Sequence, residues 1–149
     1  MIGFAGQARL DRSRPLSVAF LSVIGAACAY FSVVFAFGSC FGAFRVLVLT
    51  PQYGETTALL VELPAILAIS WLSCGLIVRR FHVADGLGSR LGMGGLAFVL
   101  LMTAELALSI LGFDRTVSDF ISRYGTANGL LGLSAQFAFA LIPSIRTKW

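Results

Sequence analysis

Long apolar runs separated by short polar clusters organise this chain. The first run extends from Leu16 to Leu49 and is broken only by Arg45. A turn-forming stretch follows, Thr50-Pro51-Gln52-Tyr53-Gly54-Glu55-Thr56. A second run, Thr57 to Val78, stops at Arg79-Arg80, and a third extends from Leu91 to Phe113. The fourth runs from Thr126 to Pro143. Between them lie a polar connector, Phe81 to Arg90, and a segment from Asp114 to Tyr124 that reads as amphipathic helix or loop. The runs exceed the ~10 residues of a transmembrane strand and do not alternate polar with apolar, so they predict helices. The expected fold is all-α, a single membrane domain built as an integral membrane bundle of four transmembrane helices at about 17–44, 57–78, 91–113 and 126–143.

The first run is too long for a bilayer. As a straight helix it would measure about 50 Å against about 30 Å of hydrocarbon. It must tilt, extend past the membrane through residue 49, or break near Gly38 or Gly42.

Composition strengthens this picture. Apolar residues make up 58% of the 149 and charged residues 12%. That charged share is about half of what an ordinary soluble domain carries. The net charge of +4 does not point to nucleic acid, because the basic residues sit in short clusters between apolar runs. Those clusters predict orientation instead. Arg9, Arg12 and Arg14 precede the first run, Arg79, Arg80 and Arg90 lie in the second connector, and Arg146 and Lys148 lie in the tail. Arg115 and Arg123 alone occupy the opposite side, with Arg45 set aside. Both termini are therefore expected in the cytoplasm. The first run is also too long for a signal-peptide core, so the N-terminus is expected to stay uncleaved. Cys28, Cys40 and Cys74 all fall in apolar runs and read as small buried hydrophobes.

Ionisable groups inside membrane spans mark candidate sites, because each is expensive to keep in lipid. Three qualify: Arg45, Glu62 and Glu105. Gln136 is the strongest uncharged counterpart, with Asn128 and Ser73 as supporting polar residues. A rise of about 1.5 Å per residue puts Arg45 roughly 5 Å, Glu62 roughly 8 Å, Glu105 roughly 12 Å and Gln136 roughly 16 Å below one membrane face. One face of the bundle thus receives the whole set. Arg45 is the expected counter-ion, holding one carboxylate and reaching the second, with the other carboxylate bonded to Gln136. Pro64 removes a backbone bond two residues past Glu62 and is expected to kink its helix. Gly38, Gly42 and Gly129 are the expected helix-packing glycines.

No catalytic, metal or cofactor-binding motif is present in the sequence, and an enzyme is not expected. The buried cluster has two readings: it organises the bundle or docks a partner, or it carries a proton, ion or polar solute. The expected partners are the lipid bilayer and either further copies of the chain or another membrane protein. The segments Phe41-Gly42-Ala43-Phe44-Arg45-Val46-Leu47, Glu62-Leu63-Pro64, Ser70-Trp71, Arg79-Arg80-Phe81 and Met102-x-x-Glu105 resemble small, functionally uncharacterised bacterial inner-membrane proteins. That resemblance implies a multi-pass protein of the bacterial inner membrane and carries no activity with it.

Overall fold

A computed structural model describes residues 16–146. The predicted charges Arg9, Arg12, Arg14 and Lys148 lie outside the described residues. The described chain is all-helical, and four of its helical stretches are long and apolar enough to cross a membrane.

The first stretch is one continuous helix of 38 residues, Leu16–Tyr53. It comprises α1, Leu16–Phe44, a π-helical turn, Arg45–Leu49, and a last turn α2, Thr50–Tyr53. The over-long run therefore continues rather than breaking at Gly38 or Gly42. Its irregularity falls at Arg45 because Pro51 lies just beyond. A proline ring cannot donate a backbone bond and crowds the carbonyl four residues back. The wider π turn makes room, and the Thr50 amide reaches five residues back to the Arg45 carbonyl. Gly54, at φ +80°, ends the stretch in a backbone conformation that suits glycine.

Helix α3, Glu55–Arg80, returns antiparallel to α1. An acidic residue opens it and Arg79-Arg80 close it, matching both ends of its dipole. It runs uninterrupted through Pro64, whose ring faces outward and is exposed. Helix α4, Leu87–Phe113, starts four residues earlier than its apolar run predicts. It ends at Asp114 in a left-handed conformation, one of the few non-glycine types that accept it readily. The segment that read as amphipathic or loop folds as a short helix, α5 (Val117–Ser122), and a 3₁₀ turn (Arg123–Gly125). Thr116 and Asp119 form a reciprocal capping box on α5. Helix α6, Ala127–Ile145, is capped by Thr126, whose hydroxyl accepts from the Gly129 amide at 3.1 Å.

The four long helices make a ring in the order α1–α3–α6–α4. Chain-consecutive α3 and α4 occupy opposite corners, as do α1 and α6. The bundle is thus two antiparallel hairpins, α1/α3 and α4/α6, packed side by side. Alanines, Met93, Cys74 and Val78 fill the half nearest the 81–86 connector. The tightest helix contact is α4 on α6, where a Cβ at Gly94 would run into the Ala140 carbonyl. Gly38 and Gly42 face α3 more loosely, with Ile66 Cδ1 and Glu62 Oε1 about a Cβ contact away. Gly129 is needed for a different reason, since a Cβ there would strike the Arg123 carbonyl in the preceding turn.

Candidate functional site

A cavity of about 490 Å3 occupies the end of the bundle that carries the π turn and α5. All four long helices line it. Arg45, Glu62, Glu105, Gln136 and Asn128, five of the polar residues expected from the sequence, face it or its rim. Ser73 does not line it and lies half-buried elsewhere on α3. Glu55, Arg115, Thr126 and Tyr124 stand around the mouth.

The expected single cluster, with Arg45 serving both carboxylates, is not what forms. Each hairpin instead holds an ion pair of its own. At the start of the π turn, Arg45 Nε lies 2.6 Å from Glu62 Oε2. The two are close enough for an ion pair but not aligned as a hydrogen bond. In the second hairpin, Arg123 Nη2 donates to Glu105 Oε2 at 3.3 Å, and Gln136 Nε2 donates to Glu105 Oε1 at 2.6 Å. The expected Gln136 bond to a carboxylate is therefore present, while the cation beside Glu105 is Arg123. In the sequence pattern Arg123 stands only as an orientation charge. Its signal was its setting between Phe120 and Tyr124. The guanidinium lies 5.0 Å and 5.3 Å from those ring centres, which turns it back over the cavity.

Depth within the cavity follows from exposure. The Arg123 side chain is 44% exposed at the mouth, whereas Glu62 is 12% exposed further in. Asn128 accepts from the Thr56 hydroxyl at 3.0 Å and ties the start of α6 to the start of α3. Three buried polar atoms in this region lack an aligned partner: Arg45 Nε, Glu62 Oε2 and Gln136 Oε1. Among the described residues, the terminal nitrogens of Arg45 have no partner either.

The floor is aromatic. Phe139 stacks on Tyr30 with ring centres 4.5 Å apart, and the two belong to opposite corners of the ring. The Tyr30 hydroxyl donates to the Phe139 carbonyl at 3.1 Å. That carbonyl is the one Pro143 leaves without its usual helical donor, because proline four residues on has no N–H. Tyr30 was not singled out from sequence, where it is one apolar-run residue among many.

Beyond the floor, a second polar group closes the opposite end. Arg90 is buried and donates to Asp85 Oδ1 at 2.9 Å and to the carbonyls of Ala84 and Arg146, each at 3.3 Å. It anchors the 81–86 connector under α6. Trp71 is 39% exposed, with the Arg146 guanidinium 5.2 Å from its ring centre. Gly75, one turn along α3, leaves the space that Arg146 fills.

Among the described residues, no three His, Cys, Asp or Glu side chains come together as a metal site. No family model, curated protein or solved structure matches the chain.

Proposed function

We propose that this chain is a multi-pass protein of the bacterial inner membrane, with both termini cytoplasmic, that admits a small polar solute into its outer-facing cavity and moves it as a homo-oligomer. The observation that carries this reading is the cavity itself, open at one end, lined from all four helices and furnished with three carboxylates and three arginines. A device that only registers helices has no need of such a space. The size lies within the range of about 300–1,000 Å3 typical of small-molecule sites. The proposed orientation puts the mouth outside, opposite Arg79, Arg80 and Arg90. The Tyr30–Phe139 stack closes the far side, so transport requires a second state in which that stack opens. Four helices rarely enclose a full pathway alone, which favours an oligomer.

The test is proton and ion flux into proteoliposomes, wild type against Glu105→Gln. Flux that falls by at least about tenfold in the variant supports the reading. Absence of flux in the wild type removes it for the ions tested.

A second reading has one observation in its favour. Each carboxylate is already paired inside its own hairpin, as it would be if the pairs only fixed helix register or presented the bundle to a membrane partner. On that reading Glu105→Gln lowers thermal stability and no flux exists to lose.

A further inference from the structure

The cavity is lined by three arginines and three carboxylates, Arg45, Arg115, Arg123, Glu55, Glu62 and Glu105. Three positive and three negative groups leave it balanced before anything enters. A ligand of net charge would add uncompensated charge to a half-enclosed, weakly polar space, which is strongly unfavourable. A ligand with one charge of each sign avoids this.

The unused hydrogen-bonding capacity is also of both kinds. Arg45 commits only Nε to Glu62, at 2.6 Å. Its two terminal nitrogens form the edge of the guanidinium that suits a bidentate carboxylate or phosphate. On α6, Gln136 gives its Nε2 to Glu105, and its Oε1 is buried with no donor to accept from. An unpaired buried acceptor is unfavourable, so a donor brought there gains correspondingly. Glu105 beside it adds a negative charge that favours an ammonium over a hydroxyl. The deeper walls, Val34, Ile66, Leu101, Leu133 and Phe139, offer only apolar surface.

We infer that the cavity binds a zwitterionic group carrying an apolar body, its anion on the free edge of Arg45 and its ammonium between Gln136 Oε1 and Glu105. Free apolar amino acids and the head group of phosphatidylethanolamine share this chemistry. The inference rests on the solute-admitting reading of the cavity, but concerns binding and does not require transport.

The test uses the full chain in phosphatidylglycerol nanodiscs, titrated with leucine, with 4-methylvalerate (leucine without its amine) and with isoamylamine (leucine without its carboxylate). Equilibrium dialysis reads affinity. Leucine should bind roughly tenfold or more tightly than either analogue, the scale of one charged hydrogen-bonded contact. Gln136→Leu should remove the advantage of leucine over 4-methylvalerate. Arg45→Lys keeps a cation beside Glu62 but removes the fork, and should remove the advantage over isoamylamine. The folded state of each variant is checked by its thermal unfolding midpoint. Should no free ligand bind, phosphatidylethanolamine is introduced into the discs. A rise in the wild-type unfolding midpoint that Arg45→Lys abolishes then assigns the same site to a lipid head group. The inference is overturned if the analogues bind as tightly as leucine. It is equally overturned if neither leucine nor phosphatidylethanolamine has an effect on a folded protein. Leucine binding without flux would instead count against transport alone, and ion flux without binding against the zwitterion alone.

Discussion

Tyr30 illustrates how a single side chain holds two corners of the bundle together. Its hydroxyl answers the carbonyl that Pro143 leaves open at Phe139. Tyr30→Phe should therefore destabilise the fold by about 1–3 kcal/mol, the penalty of a buried acceptor without a donor. In a Pro143→Ala background the helix supplies its own amide to Phe139, and the same substitution should be nearly neutral. A double-mutant cycle on unfolding free energy reads the difference. Equal effects in both backgrounds would show that the hydroxyl matters for another reason. At the other end of the size scale, Asp119 is fully exposed and accepts from both the amide and the hydroxyl of Thr116. These bonds hold its carboxyl below the ordinary aspartate value. A lowered folded-state value means stability present above the ordinary value of about 3.9 and lost as pH falls below it. Protection of the α5 amides, taken relative to the intrinsic exchange rate at each pH, should therefore fall below about pH 4 and be flat from there to neutrality. Asn at position 119 should flatten the acid limb.

At the scale of elements, the α4–α6 contact depends on Gly94. Gly94→Ala places a methyl against the Ala140 carbonyl and should destabilise by about 1–3 kcal/mol through overpacking. Gly95→Ala, one residue away, meets open space and should be neutral or stabilise by up to about 1 kcal/mol. Thermal unfolding of the two variants side by side checks the contact. Neither residue is among the expected packing glycines Gly38, Gly42 and Gly129, since a close approach depends on which helices become neighbours. The four helices themselves were legible, because run length and charge placement need no tertiary information. So was the gathering of Arg45, Glu62, Glu105 and Gln136 at one end, which follows from helical rise alone. The pairing was not legible. Arg123 reaches Glu105 only because Asp114 turns the chain and the capping box of Thr116 starts a helix in the connector. Nor was the outward turn of Trp71 legible, because an apolar run does not say which of its faces turns outward.

For the whole molecule, the ring order matters more than the count of helices. The connector 81–86 has to cross beneath the bundle to join opposite corners, and buried Arg90 fastens it there. Arg90→Leu removes the bond to Asp85 and the donor to two carbonyls, and is expected to lower the unfolding midpoint more than Arg80→Leu, whose side chain is exposed. The proposed orientation is tested with single cysteines at 86 and at 115 in a background with Cys28, Cys40 and Cys74 replaced. An impermeant maleimide added to intact cells should label position 115 and leave 86 untouched. Labelling of 86 alone would invert the topology and turn the cavity mouth toward the cytoplasm.

The self-contained ion pairs also bear on how such a chain is made. Arg45 finds Glu62 across the first hairpin, and Glu105 finds Arg123 before the last helix has begun. If the chain enters the bilayer as it leaves the ribosome, each charge meets its opposite within the hairpin being inserted. Neither hairpin has to wait in the insertion machinery for the other in order to pair its buried carboxylate. The cavity between them is then the last feature to form, created when two halves with their carboxylates already paired meet in the lipid.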